Sequence, residues 1–199
     1  MVKIGITGGI GSGKSIVSTL FQLHGIPVYN ADEETKALNN TLPSIKEQLT
    51  KHFGENLYLN NELDKNKFAH IIFNDPEKLK LANSIIHPEV LKHFKQWCIQ
   101  NSNHLIVPLE AAIIFESNFH NYLDKVATVY SPLNIRLERV SQRDNMPKEM
   151  VENRMQHQMP EAEKIRLSEY VIINDCKNSL IEQVERLLED ITHNTIIAQ

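Results

Sequence analysis

Lys14 and Ser15 close the run Gly8-Gly9-Ile10-Gly11-Ser12-Gly13-Lys14-Ser15. The spacing is G-x-x-x-x-G-K-[ST], which makes a phosphate-cradling loop when a strand precedes it and a helix follows. Both flanks are present. Val2 to Thr7 is a short β-prone run, and Ile16, Val17, Leu20, Phe21 and Leu23 place apolar residues at helical spacing. Glycines let the backbone turn through positive φ and approach an anion closely. Successive N–H groups then converge on one oxyanion, and the helix adds the positive end of its dipole. Lys14 would reach the β- and γ-phosphates, and the Ser15 hydroxyl would ligate Mg²⁺. The candidate nucleotide contacts are therefore Gly9, Ile10, Gly11, Ser12, Gly13, Lys14, Ser15 and Ile16. Average residue usage yields the bare pattern in roughly one chain in a hundred of this length, and the flanking elements make chance rarer. Five of the seven glycines lie between Gly5 and Gly13, so the loop is not part of a generally glycine-rich chain.

Elements must carry that loop, and composition bounds them. The 199 residues suffice for one domain of ordinary size with insertions. With 41% hydrophobic and 23% charged residues the profile is that of a soluble globular protein. A net charge of −4 and a pI near 6.1 argue against general nucleic-acid binding, which leaves a basic footprint. No apolar run is long enough to span a membrane, no leader pattern precedes the first strand, and two distant cysteines give neither a zinc spacing nor a disulfide framework. A cytoplasmic protein is expected.

A second strand is expected over residues 26–29, ending at Asn30-Ala31-Asp32, after which Asp32, Glu33 and Glu34 open a helix. In parallel α/β sheets ligand groups gather beyond the carboxyl ends of the strands, so Asp32 is a candidate base for an acceptor hydroxyl; it is equally well a helix cap. Residues 36–102 are nearly all helical in pattern, with a polar turn over 56–61, a break at Asn74-Asp75-Pro76 and another at His87-Pro88. That is too long for a simple crossover and reads as an inserted helical subdomain. His87 would present its imidazole at the break, or simply mark a kink. Residues 104–107 form a third strand running into Pro108-Leu109-Glu110. Glu110 could help position the metal through water, or be a solvated loop carboxylate. Lys125 to Tyr130 is a fourth strand. Arg136, Arg139 and Arg143 then fall at i, i+3 and i+7 on one helix face, followed by Arg154, Gln158, Lys164 and Arg166. Alone, the stretch reads as a salt-bridged helix pair; beside a phosphate loop it reads as a lid that closes over the phosphates. Residues 169–173 are a fifth strand, which leaves Asn174 at the ligand edge of the sheet, within reach of a nucleotide base. A final amphipathic helix carries Leu180, Val184, Leu187, Leu188 and Ile191.

Ile4 to Ser15, Tyr29-Asn30-Ala31-Asp32, Leu63-Asp64, His87-Pro88, Phe115-Glu116, the run from Arg139 to Asp144, Gln158 and Val171-Ile172-Ile173-Asn174 together resemble the dephospho-CoA kinase family, in order and over nearly the whole chain. The resemblance implies an α/β P-loop NTPase three-layer fold with a five-stranded parallel sheet. Its nucleotide core would comprise residues 1–35, 103–133 and 168–199, its helical acceptor domain residues 36–102, and its lid residues 134–167. It implies transfer of a phosphoryl group from ATP, with Mg²⁺, to the ribose 3′-hydroxyl of dephospho-CoA, the last step of coenzyme A synthesis. Asp32 matches the acceptor-side carboxylate, Arg139 and Arg143 the lid arginines, Asn174 the asparagine near the adenine, and Lys65, His87 and Glu116 fall on the acceptor motifs. Lys65 stands where arginine is usual, which keeps the charge but loses the planar fork that grips a phosphate. Asn30 stands where an acidic residue is common, and Ala112 where proline is. A GTP-dependent switch is disfavoured: after the loop the only glycines, Gly25 and Gly54, are preceded three residues back by Gln22 and Lys51, so no D-x-x-G exists.

Overall fold

The computed structural model describes residues 1–73 and 75–197. Asn74, part of the expected break before Pro76, lies outside the described residues. The chain forms two compact units, Met1–Asn30 with Asn101–Gln199, and Ala31–Gln100.

The first unit is built on a parallel sheet of β1 (Val2–Thr7), β2 (Tyr29–Asn30), β5 (Ile106–Glu110), β6 (Lys125–Tyr130) and β7 (Tyr170–Ile173), in the order β2-β5-β1-β6-β7. Ile4, Ile6, Leu109, Ala127 and Val129 have no exposed surface. Strands covered on both faces read as continuous apolar runs, which is how β1 and β6 stand out in the sequence. Helices α1 (Lys14–Leu23) and α9 (Leu180–Ile197) cover one face, with Val17, Phe21, Val184, Leu187 and Ile191 packed on Ile4, Ile6, Val129 and Ile172. β2 is shorter than expected. Pro27 and Pro108 lack N–H donors, and the β2–β5 ladder forms only at Tyr29–Leu109 and Asn30–Glu110. β5 is also shifted, beginning at Ile106 rather than His104 and carrying Glu110 as its last residue. β7 begins one residue later than expected, at Tyr170.

Residues 134–167 supply α6 (Leu133–Asp144), α7 (Lys148–Met155) and α8 (Glu161–Leu167). They have a small core of their own, Leu137, Val140 and Val151 with Met146 and Met155, and Ile10 of the glycine loop packs into it.

The second unit holds α2 (Ala31–Thr41), α3 (Pro43–Phe53), the hairpin β3 (Tyr58–Leu59) and β4 (Glu62–Leu63), α4 (Lys65–Phe73) and α5 (Pro76–Gln100). It begins at Ala31, ahead of the expected position 36, because α2 follows β2 without a loop. The polar turn expected over 56–61 is the approach to and tip of the hairpin: Asn60 and Asn61 take φ of 51° and 68°, the left-handed pair a two-residue turn requires. Asp64 caps α4 by accepting from the Lys67 N–H at 3.0 Å, and Asp75 caps α5 at the Glu77 N–H.

The break expected at His87-Pro88 is absent: α5 continues through both residues. Pro88 removes one ladder hydrogen bond and crowds the preceding turn, at about 3 kcal/mol. Against that, Ala82, Ile86, Val90, Phe94 and Cys98 are buried at every fourth position across the proline. Each large apolar side chain contributes about 1.5–3 kcal/mol on burial, so packing outweighs the local defect.

Candidate active site

The loop between β1 and α1 turns on three glycines with positive φ, Gly8 at 146°, Gly11 at 80° and Gly13 at 96°. Gly13 caps α1, so Lys14 and Ser15 are its first two residues. Space is as restrictive as φ. A β-carbon on Gly8 would stand 2.3 Å from the Val129 carbonyl oxygen, and one on Gly13 would stand 2.2 Å from Asn174 Nδ2. The Ser12 N–H donates to the Gly9 carbonyl at 3.0 Å, and Lys14 Nζ folds back to donate to the Gly8 carbonyl at 2.9 Å. Ser15 is exposed in the first turn of α1.

Three side chains bracket this loop. Asn174, buried just past β7, donates through Nδ2 to the Ser12 carbonyl at 2.7 Å, and its Oδ1 accepts from Arg139 Nη2 at 3.2 Å. Arg139 also donates to the Ser131 hydroxyl and to Cys176 Sγ, each at 3.3 Å. On the other side the Ile10 N–H donates to Gln158 Oε1 at 2.9 Å. Asn174 and Arg139 therefore form one hydrogen-bonded relay from α6 to the phosphate loop.

Arg136, which the spacing groups with Arg139 and Arg143 without singling it out, lies against the loop. It is 8% exposed. A β-carbon on Gly9 would stand 2.3 Å from its Nη1 and 2.4 Å from Glu161 Oε1. Arg136 and Glu161 approach to 3.7 Å, yet Arg136 Nε and Glu161 Oε2 are buried without a hydrogen-bond partner. Buried orphan donors are costly, and this one lies beside the loop that would receive a phosphate. Spacing alone could not separate Arg136 from Arg139 and Arg143; burial does.

Arg143 is placed differently. Its side chain is 62% exposed and is held by Asp144 at 2.8 Å, with Arg154 on the other carboxylate oxygen at 2.9 Å. The hydrogen bond to Asp144 raises the Arg143 pKa, and the same bond lowers that of Asp144. Glu116 accepts from the wholly buried Lys164 at 2.9 Å and from the Met159 N–H at 2.8 Å. It thereby ties the loop after β5 to the chain entering α8. Glu110, at the end of β5, accepts from the Ser18 hydroxyl of α1 at 2.6 Å.

The remaining candidates lie in the helical unit. Asp32 is exposed in the first turn of α2, Lys65 is exposed at the start of α4, and His87 is half-buried in α5. Burial holds the His87 imidazole below its ordinary pKa of 6.5.

For a divalent cation the chain's own contribution would be small. Among the described residues no three His, Cys, Asp or Glu side chains form a metal cluster. Ser15 offers one exposed hydroxyl at the mouth of the loop. A cation bound there would take its other ligands from phosphate oxygens and water, the usual state of Mg²⁺ on a nucleotide. Among the described residues no helix is long and apolar enough to cross a membrane.

Comparison with known proteins shows a family. The dephospho-CoA kinase family profile matches residues 2–179. A dephospho-CoA kinase of Bacteroides fragilis is 41% identical over 187 residues, 94% of this chain and 91% of that protein. Among solved structures, a Thermus thermophilus protein superposes with a TM-score of 0.83 at 32% identity, covering 97% of each chain. The dephospho-CoA kinase of Campylobacter jejuni superposes at 0.70 with 23% identity over 97% of this chain and 98% of that one, which shows a common fold. With residues 2–179 matched by the family profile and 41% identity over 94% of its length to a family member, the chain belongs to the dephospho-CoA kinase family.

Proposed function

We propose that this protein transfers the γ-phosphoryl group of ATP to the ribose 3′-hydroxyl of dephospho-CoA, releasing ADP and CoA, the final step of coenzyme A synthesis. The observation that carries the reading is the glycine loop, with left-handed φ at Gly8, Gly11 and Gly13 and with Lys14 and Ser15 opening α1. The backbone from Gly9 to Ile16 cradles the α- and β-phosphates, and Lys14 leaves the Gly8 carbonyl to meet the β- and γ-phosphates. Phosphoryl transfer has a loose transition state with charge on the equatorial oxygens, so positioned cations carry most of the catalysis. Ser15 would help the nucleotide hold Mg²⁺, which would supply charge neutralisation to the phosphates. Arg136, and Arg139 through Asn174, bring positive charge to the loop from α6. The bond from γ-phosphorus to the ADP oxygen breaks, a bond to O3′ forms, and the hydroxyl proton passes to the Asp32 carboxylate.

Residues 1–35, 103–133 and 168–199 act as the nucleotide core, residues 36–102 receive the acceptor with Lys65 and His87, and residues 134–167 serve as a lid. Arg143, tied to Asp144, and Glu116, tied to Lys164, serve that lid from positions away from the loop. A cytoplasmic location fits an ATP-dependent step.

The test is ADP release coupled to dephospho-CoA, with AMP and shikimate as alternative acceptors. Release with dephospho-CoA alone supports the reading; faster release with another acceptor overturns it. In the same assay Asp32→Asn keeps its affinity for ATP while turnover falls by about 10²- to 10⁴-fold, the scale of a general base. Near-parental turnover would remove Asp32 from that role.

A further inference from the structure

Gly9 lets two opposite charges reach the phosphate loop, Arg136 from α6 and Glu161 from α8. Their side chains are only 10% and 13% exposed, yet Nη1 and Oε1 stop at 3.7 Å, outside hydrogen-bond reach. Neighbouring pairs close fully: Arg154 with Asp144, and Lys164 with Glu116, each meet at 2.9 Å. Arg136 Nε and Glu161 Oε2 have no hydrogen-bond partner at all. Both atoms are covered, so neither gains a partner from solvent while the pair stays together. Coulomb attraction alone holds Arg136 to Glu161, and much of the cost of drying two charges goes unrecovered.

The pair stands at one particular end of the loop. Lys14 Nζ donates to the Gly8 carbonyl at 2.9 Å and to the Gly9 carbonyl at 3.5 Å. The lysine of such a loop serves the β- and γ-phosphates, so Gly9 marks the γ end. Gly13, at the start of α1, lies instead against Asn174. A cradle built to attract an anion therefore already has a carboxylate at its γ rim, held there by a buried arginine.

We propose that Glu161 is an internal competitor for Arg136 that sets how tightly the triphosphate is held. It keeps the guanidinium until the γ-phosphate of ATP takes it, and recovers it after transfer. The inference rests on the loop binding ATP. Guanidinium and phosphate form charge-assisted hydrogen bonds, which Arg136 lacks toward Glu161, so the exchange runs toward the phosphate. ADP ends at its β-phosphate and leaves the pair in place. The released carboxylate has room: Arg136, Glu152, Gln158 and Glu161 line a hollow of about 420 Å³, enough for several waters. α8 itself stays fastened on either side of Glu161, because Glu116 accepts from the Met159 N–H at 2.8 Å and from Lys164 at 2.9 Å. The exchange is thus a rotation of side chains. Its cost falls on ATP affinity and not on the chemical step, since the pair is already parted in the bound complex.

Glu161→Gln keeps the shape and removes the charge. By calorimetry its Kd for a non-hydrolysable ATP analogue is expected to fall about tenfold from the parent value, the low end of couplings measured for close charge pairs. The fall for ADP is expected to be smaller. A carboxylate that merely positioned Arg136 or packed α8 would leave analogue binding unchanged or weaker, and either result overturns the proposal. Equal tightening for ADP and the analogue also overturns it, since Arg136 would then not be answering the γ-phosphate. A second measurement uses the parent protein. The NMR signal of the Arg136 Nε–H is expected to shift with the ATP analogue and to stay near its nucleotide-free position with ADP. A signal that moves equally with both, or with neither, overturns the exchange. A parent that binds neither nucleotide overturns the proposed reaction and this inference together. A parent that binds both, without tightening in Glu161→Gln, overturns this inference alone.

Discussion

Arg136, Arg139 and Arg143 share one helix and one chemistry, yet their surroundings give them different work. Arg139 is spent on Ser131, Asn174 and Cys176. Arg143 is spent on Asp144 in solvent. Of the three only Arg136 is buried, against Gly9 and 3.7 Å from Glu161, with its Nε unpartnered. A guanidinium held dry beside a phosphate loop acts in a low dielectric, where its field on a transferring group is strongest. Arg136→Met is therefore expected to lower kcat by about 10³-fold, the lower end of what a catalytic arginine supplies. Arg143→Met is expected to lower it far less. Single-turnover rates with saturating ATP measure both, and an equal loss in the two variants would return Arg136 to a packing role. Lys14, Ser15 and the three left-handed glycines were legible in the sequence because the loop's mechanics demand those residue types at fixed intervals. Arg136 was not, since the spacing of three arginines on one helix says which face they share and not which of them loses its water.

Elements show the same division between what local chemistry dictates and what packing decides. Pro76 and the Asp75 cap start α5 where sequence rules place a helix start. The predicted stop at His87-Pro88 fails because a row of five buried positions, from Ala82 to Cys98, runs across it, a tertiary fact with no local signature. The consequence is chemical: instead of presenting its ring at a break, His87 sits half-buried on a continuous helix, and burial lowers its pKa from 6.5. The sign follows from linkage. Below the ordinary pKa the unfolded chain takes up a proton that the folded chain resists. Stability therefore falls as pH drops through about 6.5 and levels off once the folded-state pKa is passed. His87→Gln is expected to flatten that part of the stability curve in urea melts, and an unchanged slope between pH 7 and 6 would count against it. In the other unit, Glu116 and Lys164 were both visible as charges, but their pairing joins residues far apart in the chain. Lys164 has no exposed surface and Glu116 keeps 22%. Breaking a buried pair strands the other charge, whereas replacing both partners by apolar groups is often neutral. Glu116→Leu is expected to lower the unfolding free energy by about 3 kcal/mol, and adding Lys164→Met to recover most of it. Equal stability of parent and single variant would dismiss the pair as a fastening of α8.

At the scale of the whole molecule, the order of strands, loop and inserted helices was readable because glycine, proline and apolar runs punctuate the chain where the backbone changes form. The grouping of those elements was less so. Residues 134–167 belong to the same compact unit as the sheet, since Ile10 of the phosphate loop packs into their small core and Gln158 holds its N–H. The glycine loop and α6 to α8 therefore share one structural block, whereas Ala31–Gln100 has contacts enough to form its own. A ligand stabilises what it binds, by about 2.7 kcal/mol at a hundredfold excess over Kd, and opening reactions in separate blocks feel it separately. Hydrogen exchange with a non-hydrolysable ATP analogue should consequently slow at residues 8–16, 134–144 and 174 while leaving α2 to α5 near their unliganded rates. Dephospho-CoA alone should do the reverse, slowing α2 and α4 first. If the ATP analogue protects Ala31–Gln100 as strongly as the phosphate loop, the two units open as one, and each substrate then organises the whole protein rather than its own half.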